Sequence, residues 1–271
     1  MTVINTNVQS LIAKNALTIN NRSMAKVMNQ LSTGYRINSA GDDAAGLAVS
    51  QNMTAQIRSL NQAVRNANDG VSIAQTAEGA MIEVSNMLQR MRELAVQATS
   101  GQLSDTQRGY LNNEFTALRS QIDTTITNTK WNQQSVLGSA AAVTFSIQVG
   151  MNSGDTVNVV TNSLSTTTYS AAAISSTASA AAALALVDSG LESVNSARAT
   201  LGAAISRLNS AADNLTNVAQ NTSESRSRIL DTDYATATTE LARTQIIQQA
   251  GTAVLAQANQ IKSTVLSLLR S

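Results

Sequence analysis

The sequence predicts a mainly α protein, a long antiparallel helical coiled-coil bundle with a small β-hairpin. Three observations carry this. Apolar residues from Ile57 to Ala98 recur in steps of three and four, and similar seams return later in the chain. No Pro occurs in 271 residues, so helix interiors are uninterrupted. One short stretch, from Val143 to Val159, changes period from about 3.5 to 2.

The central seam reads Ile57, Leu60, Val64, Ala67, Val71, Ala74, Ala77, Met81, Val84, Leu88, Met91, Ala95 and Ala98. It holds for about six heptads with one stammer-like slip at Ala74–Ala77, and Gly70 and Gly79 lie off it. A helix of this length spans roughly 60 Å at about 1.5 Å per residue. A seam that long demands partner helices.

Before it, residues 1–33 place Ile4, Val8, Leu11 and Ile12 on one stripe, then Leu17, Met24 and Leu31 a heptad apart with Val27 beside them. Gly34 fits a helix C-cap. Asn38-Ser39-Ala40-Gly41-Asp42-Asp43 has turn chemistry, and the reading is a non-helical spoke over 34–46. After the seam, Ser100-Gly101 breaks the chain, and Ser104 with Gln107 fits a capping box. The next helix carries Leu111, Phe115, Leu118, Ile122 and Thr125, and the short connection implies an antiparallel return. Trp131 stands near the end of that pattern.

Val143, Phe145, Ile147 and Val149 then alternate with polar residues, as do Val157 and Val159 beyond a Gly/Asn/Asp-rich turn. This is a β-hairpin that must lean on helices, because a lone hairpin is marginal in water. Residues 161–183 are Ser, Thr and Ala with little else, and read as a loop rather than core. A third long seam follows: Val187, Leu191, Val194, Arg198, Leu201, Ile205, Leu208, Ala212, Leu215 and Ala219. Glu224, Arg226 and Arg228 mark a transition, and Asp231 and Asp233 open the last helix. There Ile247, Val254, Ile261 and Leu268 are seven apart, with Gly251, Ala258 and Val265 interleaved and Leu255, Leu266 and Leu269 widening the face. Both chain ends thus carry more apolar surface than one intramolecular helix pair can bury.

Composition narrows function. The chain has no Cys and no His, which excludes the usual zinc sites, thiol chemistry and Ser-His triads. No cofactor is expected. Charged residues are 13% against 43% hydrophobic, and the gap is filled by Asn, Gln, Ser and Thr. Such a surface repels little and suits self-assembly; the alternative is a mildly polar monomer. A net charge of +1 gives no electrostatic case for nucleic acid. No apolar run approaches the roughly 20 residues of a membrane span. The opening MTVINTNVQSLIAKN lacks the basic and apolar regions of a cleavable secretory signal.

Four segments carry a family resemblance: INTNVQSLIAKNAL, QLSTGYRINSAGDDAAGLAVS, LQRMRELAVQATSG and ILDTDYATATTELARTQIIQQAGTAVLAQANQIKSTVLSLL. Together they resemble bacterial flagellin over nearly the whole chain. The final Ser271 departs from members that end on the arginine. The resemblance implies a structural, non-enzymatic subunit of the extracellular flagellar filament. It implies a terminal helical polymerisation domain (residues 1–45 paired with 226–271) and a rod domain (46–140 with 185–225). The hairpin at 141–160 would lie beside the rod, and the loop at 161–184 would replace the variable outer domains. The polymerisation residues are then Ile4, Val8, Leu11, Leu17, Met24, Leu31, Ile247, Val254, Leu255, Ile261, Val265, Leu268 and Leu269. Implied partners are further copies in a homopolymer, cap and hook-junction proteins, an export chaperone and the flagellar type III export apparatus.

In LQRMRELAVQ, Arg90 and Leu94 sit at i and i+4, off the seam, on what reads as an exposed strip. From the residues alone, this strip packs on a neighbouring subunit or on the return helix near Glu114. The resemblance adds Toll-like receptor 5, with Gln89, Arg90, Leu94, Gln97 and Glu114 as the contact. It also implies that Val265 to Leu269 are read by cytosolic innate sensors. Asp42-Asp43 as a metal pair lacks further ligands, and helix capping explains it better. The hydroxyl-rich 161–183 could carry O-glycans, with an undecorated linker as the default. A metalloprotease insert needs paired His, which is absent, and a lipid-binding helix would want Lys/Arg-rich polar faces. A hook–filament junction protein of the same architecture is the remaining alternative.

Overall fold

A computed structural model of the chain describes residues 6–138, 141–162 and 172–268, with side chains as far as Gln260. Five helices stand among the described residues: α1 (Val8–Thr33), α2 (Ala44–Ala98), α3 (Asp105–Asn128), α4 (Thr177–Leu230) and α5 (Tyr234–Leu268). Four short strands lie between α3 and α4: β1 (Lys130–Trp131), β2 (Gln134–Ser135), β3 (Val143–Gln148) and β4 (Thr156–Thr161). The chain divides into two compact units, Met1–Ala55 with Asn221–Ser271, and Gln56–Gln220. Helices α2 and α4 contribute to both.

In the larger unit, α2, α3 and α4 share one core. Met81, Val84, Leu88 and Met91 of α2 meet Phe115, Ile122 and Ile126 of α3 and Val187, Val194 and Leu201 of α4. The predicted seams are the buried stripes, with local differences. Ile57, Val64 and Val71 are half-buried, and Ile126 takes the core position that Thr125 was expected to hold. The connection from α2 to α3 is built as the sequence indicates. Gln107 N–H donates to Ser104 Oγ (3.3 Å) and Ser104 N–H to Gln107 Oε1 (2.9 Å), the reciprocal capping box. A residue the seam analysis passed over completes it. Arg108, buried under the turn, donates from Nε to the Ala98 carbonyl (2.9 Å) and from Nη2 to the Ser100 carbonyl (2.9 Å). It thereby satisfies carbonyls that the end of α2 leaves without helical partners.

β3 and β4 pair antiparallel, Val143 opposite Thr161 through Gln148 opposite Thr156. Val157, Val159 and Thr161 point into the core. The hairpin closes on α2 at Gly70, where an added Cβ would stand 3.0 Å from Ile147 and 3.1 Å from Leu208. Gly70 is therefore a packing position, although its place off the seam gave no hint of it. Trp131 does not merely end a helix. It lies in the small β1–β2 hairpin, whose turn residues Asn132 (φ 46°) and Gln133 (φ 68°) are both left-handed, as a two-residue I′ turn requires.

The Ser/Thr/Ala stretch is the main correction. Residues 163–171 lie outside the described residues, but 172–184 are not a solvent loop. Ala172 and Ile174 are in the core, and α4 starts at Thr177, so Ala180 and Ala183 are buried seven and four residues before Val187, where the third seam was expected to begin. Alanine is the strongest helix former and packs without side-chain entropy cost, so low complexity here is compatible with a close-packed helix. Ile174 N–H donates to Asn112 Oδ1 of α3 (2.9 Å), which anchors the entry. At its far end α4 continues helical through Glu224, Arg226 and Arg228 to Leu230, and the last helix opens after Asp231 and Asp233.

In the smaller unit, α1 and α5 pair antiparallel: Asn7 reaches Ala258, Asn20 reaches Thr244, and Tyr234 reaches Leu31. Their backbones run within 8 Å of each other along the pair. Between α1 and α2 the chain is non-helical from Gly34 to Asp43. Gly34 caps α1 in the left-handed conformation (φ 76°). Tyr35 bridges Asp231, and Arg36 N–H donates to the Leu230 carbonyl (2.7 Å). Asp42 accepts from the amides of Asn38 (3.3 Å) and Ser39 (3.1 Å) and pairs with Lys26 (3.0 Å). Asp43 caps α2 by accepting from Gly46 N–H (2.8 Å). Both carboxylates therefore have structural partners.

Candidate assembly surfaces

Two surfaces carry the predicted residues. The first is the outward side of the terminal pair. Helices α1 and α5 are each amphipathic over more than one stripe, and a two-helix contact covers only one stripe on each. Leu17, Met24, Leu31 and Leu255 are partly buried within the pair, around buried Val27, Ala237 and Ala258. Val8, Leu11, Ile247 and Val254 are left in solvent, Val254 at 59% exposure. Ile4 and Leu269 lie outside the described residues, as do the side chains of Ile261, Val265 and Leu268. Three further exposed apolar residues extend this surface, Ile12, Ile19 and Ile246; Met28 is exposed too, but about half a turn round α1 from Ile19. Ile246 was missed because only one member of an Ile-Ile pair can lie on a single heptad line; the adjacency itself was the available signal.

A few scattered apolar residues on a surface need no explanation, but this many large aliphatic residues on two paired helices form a patch. Burying one such side chain contributes about 1.5–3 kcal/mol, while association costs an estimated 4–15 kcal/mol or more. Single contacts do not suffice, whereas several buried at once do.

The second surface is the strip on α2. Gln89, Arg90 and Gln97 are exposed there, with Glu114 on α3 beside them. Arg90 is held by Glu114 (2.8 Å) and Glu93 (2.9 Å), and the Glu114 and Glu93 carboxylates raise its pKa further. The neighbouring Arg92 pairs with Asp188 of α4 (2.6 Å). The strip therefore meets the return helix at Glu114, as one reading of the sequence had it. Leu94 corrects the other part of that reading. It is 1% exposed and belongs to the core. A helix covered by two neighbours buries a wider arc than a two-helix seam, and position 94 falls inside that arc.

Among the described residues no group of three His, Cys, Asp or Glu is placed to hold a metal. Among the same residues, no helix is long and apolar enough to cross a membrane.

Comparison with known proteins decides the family. Residues 4–142 match the bacterial flagellin N-terminal helical region and residues 184–269 the bacterial flagellin C-terminal helical region. The chain belongs to the bacterial flagellins. It is 43% identical over 272 residues to a flagellin of Halalkalibacterium halodurans, covering 99% of this chain and 100% of that one. A flagellin of Xenorhabdus nematophila is 38% identical over 311 residues, covering 99% of each chain. The crystal structure of Bacillus cereus flagellin superposes with a TM-score of 0.51 at 29% identity, over 56% of this chain and 88% of that one. As a flagellin the chain is a structural subunit of the flagellar filament and not an enzyme.

Proposed function

We propose that the outward apolar face of the α1–α5 pair is the polymerisation surface of this flagellin. The observation that carries it is the exposure of Val8, Leu11, Ile247 and Val254 on helices whose other stripes are already buried against each other. Copies supply the missing neighbours, and apolar area withdrawn from water drives assembly at about 25 cal/mol per Å². In this reading the terminal helices polymerise while the α2–α3–α4 bundle forms the rod domain, and the assembled filament lies outside the cell. The subunit would be delivered by the flagellar type III export apparatus with an export chaperone and added beneath a cap protein, starting from hook-junction proteins. The side chains from Ile261 to Leu269 would join the same surface and be read by the chaperone and by cytosolic innate sensors.

The test is Val254→Asp in the full-length chain. Pelletable filaments are expected to disappear, while circular dichroism shows the larger unit melting as before. Normal filaments from this variant would overturn the assignment. A hook–filament junction role differs in copy number, a handful against thousands per filament, and full-length similarity to flagellins favours the latter.

The α2 strip supports a second binding role, contact of the monomer with Toll-like receptor 5 through Gln89, Arg90, Gln97 and Glu114. Leu94 would act from beneath, by holding α2 in place. Arg90→Ala is expected to weaken receptor activation by monomer. Unchanged activation removes this role without touching the polymerisation surface.

A further inference from the structure

The terminal pair has a register problem that its apolar seams do not solve. Leu17, Met24 and Leu31 on α1 repeat every seven residues, and so do Ile247, Val254 and Ile261 on α5. Sliding one helix past the other by a heptad, about 10.5 Å at 1.5 Å per residue, again sets apolar positions opposite apolar positions. A sequence pattern of this kind specifies that two helices pair but leaves their offset open.

Side-chain amides remove part of the ambiguity. Asn20, buried in the pair, donates from Nδ2 to the Thr244 carbonyl (2.8 Å). Asn7 does the same to the Ala258 carbonyl (3.0 Å). A buried amide must find an acceptor, so these bonds decide which helix faces meet. Carbonyls recur at every residue, however, and a heptad slip would offer the amides new ones.

At one end the Tyr35–Asp231 bridge ties the chain beyond α1 to the chain before α5; along the facing helices themselves, one feature does not recur. Leu17 is seated on Gly251, where an added Cβ would stand 2.9 Å from its Cδ2 and 3.2 Å from its Cγ. The Cγ moves only with a change of the Leu17 χ1 rotamer, a larger rearrangement than the turning of a side-chain tip. Seven residues to either side of Gly251 stand Thr244 and Ala258, and both carry a Cβ. Gly251 is the single glycine of α5. We infer that Gly251 sets the register along the facing helices of the terminal pair, away from the Tyr35–Asp231 end: the Leu17 side chain fits over it and over neither heptad-related position, and assembly depends on this one offset.

The dependence follows from the surface proposed above, on which this inference rests. That surface draws Val8, Leu11, Ile12 and Ile19 from one helix and Ile246, Ile247 and Val254 from the other. A neighbouring copy can match it only if the offset between helices is the same in every subunit. A slip of about 10.5 Å moves half of the patch by two helical turns.

Gly251→Ala tests this, because helix propensity and register predict opposite outcomes. Alanine favours helix over glycine, so a purely local role would leave α5 at least as helical and assembly unimpaired or improved. The register role predicts a critical concentration for seeded assembly raised at least about tenfold, as a 1.4 kcal/mol penalty gives. Leu17→Ala placed in the Gly251→Ala chain should bring it back towards the parent value by removing the obstructing Cγ branch. The chain has no Cys, so spin labels at Asn15→Cys and Gln249→Cys, exposed positions on α1 and α5, report the offset in the monomer. The parent chain should give one distance and the Gly251→Ala chain a second, displaced population. Unchanged critical concentration and a single unchanged distance for Gly251→Ala would overturn the inference, as would failure of Leu17→Ala to restore assembly. Val254→Asp separates the two levels. If that variant assembles normally the surface is wrong; if it fails while Gly251→Ala assembles normally, the surface stands and the register role falls.

Discussion

Arg108 illustrates what one buried cation requires. Its side chain is 7% exposed, and its guanidinium is occupied by the Ala98 and Ser100 carbonyls and by Asp105. Replacing it with methionine keeps the bulk but strands two carbonyls at the end of α2. Arg108→Met should therefore destabilise the larger unit by about 3 kcal/mol in urea unfolding. Asp105 is 89% exposed, and Asp105→Asn should change stability by no more than about 0.5 kcal/mol. Asp42 makes a pH-dependent contribution of known sign. The Lys26 ammonium, the Ser39 hydroxyl and the Asn38 and Ser39 amides hold its carboxyl at about 2, below the ordinary 3.8. A carboxyl lowered on folding stabilises fully above its unfolded value and loses that contribution as pH falls through the folded one. The protection factor of the Ser39 amide in hydrogen exchange, with the intrinsic rate at each pH divided out, should thus be high at pH 5 and fall on acidification towards pH 2; in Asp42→Asn it should be lower at pH 5 and lose this pH dependence. Asp42 as a structural carboxylate was legible in the Asn-Ser-Gly-Asp run. The burial of Leu94 was not, since the same leucine is exposed or covered according to how many helices stand beside it.

Among elements, the legible ones had a period or a cap to reveal them. Six residues of strict alternation gave β3, and the Ser104–Gln107 pair marked the start of α3. The β1–β2 hairpin has two-residue strands, too short to hold any period, and its Asn-Gln turn lacks the glycine that usually signals left-handed backbone. The start of α4 was hidden because alanine reads equally as spacer and as helix. Its importance is testable. Ile174, fully buried, anchors the approach to α4, and Ile174→Ala should cost about 2–4 kcal/mol in thermal or urea unfolding of the larger unit. Gly70 tests the seat of the hairpin from the opposite direction. Gly70→Val adds atoms where Ile147 and Leu208 already close the space, and overpacking should cost about 1–3 kcal/mol despite removing a helical glycine.

For the molecule as a whole, low charge and excess apolar surface make the assembly reaction predictable in kind. A subunit with net charge +1 and 13% charged residues gains little from long-range electrostatics. Filament formation should carry a negative heat-capacity change in calorimetry and be strengthened by sulfate, which is excluded from apolar surface. A near-zero heat-capacity change would mean that the apolar faces stay wet. The chain by itself determined that long helices form, where their apolar stripes run, that a hairpin interrupts them, and that the ends carry surplus apolar surface. These are properties of spacing along one strand of sequence, and period is local. Tertiary structure alone decided which of the apolar positions are covered. Leu94 is enclosed by a third helix, Ile246 is left bare on a pair, and Gly251 becomes a seat for Leu17, because coverage and close approach depend on neighbours that spacing does not name.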